Sequence, residues 1–304
     1  NHLPIRRVYD RKTDSWKRKI KTESENLEKL DDPLATAILS YRRYSKALST
    51  YVVPLAGHDR MYSRWHLDAV TGRPSSTHRN MQNIPGLYNA KGLPNLRSMF
   101  IPDSGVFTDW DASQIELRCL AYLSGDEEMQ YIYSSGGDIH QATADFMGID
   151  RKIAKNVNFA MIYGATDQTI METAHTSDLR RAHQLKESWF HKFQQAGQWI
   201  IRQQEESWES GYVTTLYGRR ILLPIELESK DKIDRKSVNY PIQASAAEII
   251  KRAMLKCRHL PLVLQVHDEL LADGDVQEAV EQLDLEHLAP LNTPYEFKKL
   301  ERWQ

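Results

Sequence analysis

Three short stretches of the chain concentrate side chains able to do chemistry. In Asp109-Trp110-Asp111-Ala112-Ser113-Gln114-Ile115-Glu116-Leu117-Arg118, carboxylates follow the apolar run Gly105-Val106-Phe107-Thr108. A carboxylate at the end of a buried strand is costly to leave unpaired, so Asp111 either caps the following helix or binds a cation. In Val266-His267-Asp268-Glu269-Leu270, Asp268 projects from a tight turn between apolar strands, and taken alone it is merely a turn residue. Together, two carboxylates on neighbouring strand ends suit hard cations, which take oxygen ligands and keep some water. Two such ions about 4 Å apart activate an attacking oxygen and neutralise a leaving one in an in-line displacement. The third stretch runs from Arg151 to Gly164, with Arg151, Lys155, Phe159 and Tyr163 at steps of four. On a helix this is one stripe, cationic at one end and aromatic at the other. Cations of this kind bind phosphate oxygens and aromatic faces stack on bases. An ordinary amphipathic helix with its aromatics in the core is the competing reading.

These stretches need elements to hold them. Between Asn26 and Leu48 the apolar residues Leu27, Leu30, Leu34, Ile38, Tyr41, Tyr44 and Leu48 recur every three or four positions, with an internal helix start at Pro33. Residues 71–105, rich in Gly, Pro, Asn and Ser, read as loop and short strand. A buried strand from Gly105 leads to Asp109–Asp111, and a helix follows over Ser113–Leu123. Leu179, Ala182, Leu185, Trp189, Phe193, Ala196 and Ile200 mark a long amphipathic helix over 178–207, with a break expected at Gly197. Leu262–Val266 and Leu270–Ala272 form a hairpin with His267, Asp268 and Glu269 at its tip. Strands and helices mix without a βαβ rhythm, which predicts an α+β fold.

The 304 residues suffice for more than one packing unit and a sizeable core. Charged residues make up 27% and apolar ones 41%, an ordinary balance for a globular enzyme, and no apolar run approaches the roughly 20 residues of a bilayer crossing. A soluble, intracellular protein is expected, and no membrane partner. Cys119 and Cys257 stand far apart outside any CxxC pattern, which leaves them as small residues on apolar helix faces. The chain opens at Asn1, which suggests a trimmed polypeptide. The formal charge of −1 argues against a uniformly basic nucleic-acid binder, yet it averages two opposite ends. Arg6, Arg7, Arg11, Lys12, Lys17, Arg18, Lys19 and Lys21 face only Asp10 and Asp14 over residues 1–21, which makes either a basic arm beside a phosphate backbone or a frayed tail. Residues 265–290 hold eight carboxylates and no Lys or Arg, either a solvated face or a site that needs a cation.

In this order, the three stretches resemble motifs A, B and C of family A DNA polymerases, the bacterial polymerase I and phage replicative type. The likeness extends to Thr71-Gly72-Arg73-Pro74-Ser75-Ser76 with Asn80-Met81-Gln82-Asn83-Ile84-Pro85, to Asp138-Ile139-His140, to Gly211–Arg220, and to Arg235, Asn239 and Gln243. The resemblance implies a right-hand polymerase fold with an antiparallel palm sheet, mostly helical fingers and a small thumb. It divides the chain into partial thumb and basic arm (1–54), palm (55–123), fingers (124–234) and palm again (235–304). The implied activity is template-directed extension of a DNA primer 3′ end with deoxynucleoside triphosphates by two-metal nucleotidyl transfer, releasing pyrophosphate. A catalytically silent primer-template clamp and a single-subunit RNA polymerase are the alternatives.

By the same resemblance, Asp111 and Asp268 ligate two Mg²⁺ ions, for which Mn²⁺ can substitute. The Ala112 carbonyl completes one site, with Glu269 as nearby support. Arg151, Lys155 and His140 take the triphosphate, and Lys155 is the proton donor to the leaving pyrophosphate. Phe159 and Gln114 belong to the nucleotide site, and Tyr163 stands beside the templating position. Glu116 is the steric gate against a 2′-hydroxyl. Arg73, Asn83, Arg235, Asn239, Gln243 and His267 follow primer and template on the minor-groove side, where acceptors vary little with base-pair identity. Departures from the pattern are Ala160 and Ala244 where Gly is usual, Ala112 where Tyr is common, and Arg79 where Pro is common. The family proline in the Arg235–Gln243 helix is present as Pro241, with a kink expected there. The stretch before residue 54 is about half a family thumb by that comparison. An upstream exonuclease domain and an accessory processivity protein are partners of the kind the family uses. The expected location is the cytoplasm, at the nucleoid or in an infected host cell, or else an organelle.

Overall fold

A computed structural model describes residues 5–10, 15–86, 92–288, 291 and 293–304. Arg11, Lys12 and Asp14 of the basic stretch lie outside the described residues. The chain packs as two compact units, one of residues 1–64, 77–100 and 304, the other of residues 65–76 and 101–303.

The first unit opens with strands β1 (Ile5–Asp10) and β2 (Ser15–Ile20), paired antiparallel from Ile5 opposite Ile20 to Asp10 opposite Ser15. Within the basic stretch, residues 5–10 and 15–20 are therefore paired strands. Helices α1 (Ser24–Leu27) and α2 (Pro33–Ala47) follow, then a π-turn at Leu48–Val52 and α3 (Val53–Leu55). α2 starts where its sequence dictates: Pro33 occupies the first turn, and the Asp32 carboxylate accepts the Leu34 N–H at 2.7 Å. 3₁₀ turns at Met81–Asn83 and Leu96–Met99 complete this unit, while the paired short strands β3 (Arg64–His66) and β4 (Ser75–Thr77) lie mostly in residues 65–76 of the second.

The second unit is built around strand β5 (Phe107–Ala112). Helices α4 (Ile115–Ser124), α5 (Glu127–Ser134), α6 (Ile139–Met147), α7 (Arg151–Ile162), α8 (Asp167–Thr173), α9 (Leu179–Lys192) and α10 (Gln194–Ser210) follow. A small hairpin of β6 (Tyr212–Thr214) and β7 (Arg220–Leu222) precedes the 27-residue helix α11 (Lys230–Lys256). The chain ends through β8 (Leu262–Val266), β9 (Glu269–Asp273), α12 (Gln277–Glu281) and β10 (Tyr295–Leu300). β10, β5, β9 and β8 lie in that order in one antiparallel sheet. Trp110 and Ala112 of β5 are fully buried in a core shared with Leu117 and Leu120 of α4, Val157 and Ile162 of α7, Trp189 of α9 and Ile249 of α11. The fold is α+β, as the mixed pattern of the sequence predicts. Cys119 and Cys257 are buried and free within it.

Two boundaries differ from the sequence reading or refine it. The long amphipathic segment breaks at Phe193, not at Gly197, because Gly197 sits under the Phe190 ring: a Cβ there would lie 2.3 Å from Phe190 Cδ1. A glycine that makes room for packing stays inside a helix, whereas Phe193 leaves helical backbone at φ −113° and ψ 69°. α11 runs through Pro241, which has no N–H for the helix ladder, and the neighbouring Ser245 hydroxyl donates to the Pro241 carbonyl at 2.5 Å.

Gly164, just past α7, has φ +64°, and a Cβ there would lie 3.0 Å from Arg235 Cγ and 3.2 Å from Arg235 Cα on α11. Gly164→Ala therefore combines a left-handed alanine with crowding against backbone, and should cost about 2 kcal/mol. Gly211→Ala has φ +75° but open space around its Cβ, so it should cost about half as much. Equal denaturant midpoints for the two variants would show that the α7–α11 approach is not tight.

Candidate active site

The carboxylate stations are set by sheet register. β5 places Asp111 directly opposite Glu269 of β9 on one side and Glu296 of β10 on the other. Side chains opposed in this way share a face, so three acids stand in a row across the sheet. Burial first, then the charges of Asp268, Glu269 and Glu296, push the Asp111 carboxyl up to about 7, with Lys298 opposing. Asp268 is pushed up to about 6, again by burial first, with Glu116 and Glu269 adding to it and a backbone hydrogen bond and Arg73 opposing. Asp111 does not cap the next helix: the N-cap of α4 is Gln114, in left-handed backbone at φ 53°.

The turn carrying Asp268 is equally specific. Val266 pairs with Glu269, so His267 and Asp268 form a two-residue turn with His267 at φ 57°. The Gln265 side chain donates to the His267 carbonyl at 2.6 Å, and the Ala112 N–H donates to the Asp268 carbonyl at 3.1 Å. That second bond ties the end of β5 to the hairpin tip, bringing the Asp111 and Asp268 backbones together. Glu269 accepts from the Trp303 indole at 3.1 Å. Among the described residues, no group of three or more His, Cys, Asp and Glu converges as a ready metal cage. The donor chemistry nevertheless suits a hard divalent cation: buried carboxylate oxygens that repel one another are stabilised by a charge between them.

Beside this acidic row lies a cavity of about 280 Å³ lined by Arg73, Glu116, Phe159, Tyr163, His267 and Asp268, with apolar residues of α4 and α11 behind. Glu116, 7% exposed, anchors it. One Glu116 oxygen is ion-paired with Arg73 and the other accepts the Tyr163 hydroxyl at 3.1 Å. Burial and Glu116 push the ionisation of this phenol up to about 12. Gln114 accepts from the Tyr133 hydroxyl at 3.2 Å.

The α7 stripe forms as its spacing predicts. Asp150 caps the helix through the Lys152 N–H at 2.7 Å, which orients Arg151 and Lys155 one turn apart. Arg151 donates to Asp138 at 2.7 Å, and Asp138 also caps α6 through the His140 N–H at 2.8 Å. Lys155 is exposed, with its Nζ 6.0 Å from the Phe159 ring centre. His140, 2% exposed, lies 5.8 Å from the same ring. Burial, with Lys155 and Arg151 adding and Asp138 opposing, lowers its pKa to about 4.

Arg235 and Asn239 lie on α11 and line a surface hollow with Tyr163. The Asn239 amide nitrogen is buried without a hydrogen-bond partner. Asn83 is carried by the first unit, at the end of the Met81–Asn83 turn. Sequence reasoning missed Gln265, which fixes the hairpin tip, Glu296, which completes the acidic row, and Asn158, a fully buried amide on α7. For Asn158 a signal existed, since it is a polar residue on the apolar side of an amphipathic helix.

Residues 4–288 match the family model of DNA polymerase family A. The chain is similar to a thermostable DNA polymerase I of Thermus filiformis, at 37% identity over 88% of this chain and 35% of that protein. It is also similar to DNA polymerase I of Caldicellulosiruptor bescii, at 31% identity over 90% of this chain and 36% of that one. The chain thus spans about a third of the length of these relatives. Among solved structures, the POL domain of Pol1 from M. smegmatis, in complex with DNA primer-template and dNTP, superposes with a TM-score of 0.80 at 25% identity. It covers 98% of this chain, which spans 58% of that one.

Proposed function

This chain belongs to DNA polymerase family A, and on that premise we propose that it extends a DNA primer on a template from deoxynucleoside triphosphates, releasing pyrophosphate. The observation that carries the reading is the acidic row of Glu269, Asp111 and Glu296 across the sheet, joined by the half-buried Asp268 at the wall of a cavity bounded by Glu116, Phe159 and Tyr163. Asp111 and Asp268, with the Ala112 carbonyl, are the residues that would hold two Mg²⁺ ions, or Mn²⁺ in their place. When bound, such ions activate the attacking oxygen and offset charge on the leaving one.

The remaining roles follow from position. Arg151 and Lys155, both exposed, stand one turn apart and receive the triphosphate, with Lys155 giving a proton to the departing pyrophosphate. Phe159 packs on the incoming sugar and base, and Glu116 lies under the sugar. Arg73, Arg235, Asn239, Gln243 and His267 track primer and template, and the unsatisfied Asn239 amide supports a polar ligand there. Helices α5 to α10 act as fingers, the β5–β8–β9–β10 sheet as palm, and the hairpin and helices before residue 55 as a short thumb.

Mixed with a primed template, the four deoxynucleoside triphosphates and Mg²⁺, the chain should lengthen the primer by template-directed addition, and excess chelator should stop it. Duplex binding with no extension in Mg²⁺ or Mn²⁺ would overturn the catalytic reading and leave a clamp.

A further inference from the structure

Behind the stripe of α7 lies a closed polar network that the proposed roles do not use. Asn158, Trp189 and Thr143 are fully buried, and His140 is 2% exposed. The Trp189 indole nitrogen lies 2.9 Å from Asn158 Oδ1, and the Thr143 hydroxyl, which donates to the Ile139 carbonyl at 2.7 Å, lies 3.2 Å from Asn158 Nδ2. Asn158 Nδ2 also lies 3.0 Å from His140 Nδ1.

The donor and acceptor roles in this network have one consistent solution. An indole N–H only donates, so the Asn158 atom facing Trp189 must be the carbonyl oxygen. The atom facing His140 is therefore the NH₂, which only donates. His140 Nδ1 must accept, and a neutral imidazole then carries its proton on Nε2. A second proton, on Nδ1, would set two donors against each other at 3.0 Å inside a buried site. The charges around the ring act both ways: Asp138 at the head of its own helix favours the imidazolium, whereas Lys155 and Arg151 of α7 disfavour it. α9 presents the neutral indole of Trp189 to the network.

We propose that Asn158 is a positioning residue that locks His140 as the neutral Nε2–H tautomer, so that His140 serves the incoming triphosphate as a fixed uncharged donor and not as a third cation. The use of that proton rests on the reading given under Proposed function; the lock itself does not. A neutral donor adds direction without adding charge that would hold the departing pyrophosphate. Arg151 and Lys155 supply the charge, and His140 supplies geometry.

Nitrogen-detected imidazole spectra of the free protein test the lock directly. His140 should show Nε2–H with Nδ1 bare, and no titration between pH 8 and pH 5.5. In Asn158→Asp the carboxylate accepts where the amide donated, so the proton should move to Nδ1 and the ring should titrate between pH 6 and pH 8. Trp189→Phe, which removes the indole donor together with part of the ring volume, should give mixed tautomers. An Nδ1–H tautomer, or a His140 titration near 6.5 in the unaltered protein, would overturn the lock, and that measurement needs no variant to fold. In extension assays, the ratio of the Asn158→Asp KM for deoxynucleotides to the unaltered one should change at least about threefold between pH 6 and pH 8. A tautomer change with a flat KM ratio would leave the lock standing and overturn the assigned use of the proton at the triphosphate.

Discussion

Asp111→Asn and Asp268→Asn should each lower primer extension by at least about 10³-fold, the scale for losing one strong electrostatic stabiliser of a transition state. Neither variant should unfold the chain, and without divalent cations both should be more heat-stable than the unaltered protein at neutral pH. The reason is the sign of the linkage. Both carboxyls have folded pKa values above the unfolded value of 3.8, at about 7 for Asp111 and about 6 for Asp268. Between pH 4 and pH 7 the folded state therefore holds more protons than the unfolded one, and stability falls as pH rises through that window. An amide removes the fall. The variants should melt alongside the unaltered protein near pH 4 and above it at pH 8, by an amount on the order of 1–2 kcal/mol, or a few degrees. Added Mg²⁺ should raise the melting temperature of the unaltered protein and leave the variants where they were. Scanning calorimetry with and without chelator distinguishes the cases. Full extension by the Asp111→Asn, Asp268→Asn double variant would remove the acidic row from the chemistry.

Glu116→Ala should lower discrimination against ribonucleoside triphosphates roughly 10²-fold, since a site that rejects by filling space loses its selectivity with the atoms that fill it. The structure adds a second effect. Glu116 is the shared acceptor of Arg73 and of the Tyr163 hydroxyl, so its loss strands a guanidinium and a phenol beside the cavity. kcat/KM for the deoxynucleotide should accordingly fall as well, by about tenfold. Glu116→Gln separates the two: it preserves volume and so the discrimination, while weakening the Arg73 pair. Single-nucleotide insertion kinetics with matched deoxy and ribo substrates measure both. An unchanged ratio in Glu116→Ala would sink the gate.

The site was legible in the sequence wherever one element carries its own signal. Asp111 follows an apolar run, Asp268 interrupts another, and Arg151 to Tyr163 repeat at helical spacing, so β5, the β8–β9 hairpin and α7 all appear where the pattern puts them. What the sequence hides is set between elements. Glu296 joins the acidic row only because β10 pairs with β5, and nothing local at Tyr295–Leu300 announces that neighbour. The Arg73–Glu116–Tyr163 clasp joins a loop, the start of α4 and the end of α7, three segments with no common period. Gly197 misled because glycine weakens an isolated helix, whereas here a ring packs on it. The charge balance misled in a similar way. A near-neutral sum is compatible with an acidic row gathered on one sheet and cations kept at separate stations such as Arg73, Arg151 and Arg235.

The strand order also bears on how the chain is made. β5 sits between β9 and β10, yet Asp111 meets Glu296 across 184 intervening positions of sequence. On the ribosome, Phe107–Ala112 emerges long before either partner strand exists, and at roughly 5–20 residues per second it waits for about ten seconds or more. An unpaired apolar edge is a template for wrong partners during that interval. Asp109 and Asp111, alternate residues of this strand, place charge on one face of the waiting segment and disfavour self-pairing, since identical strands would set carboxylate against carboxylate. The acidity proposed to serve the finished enzyme thus also guards the nascent one.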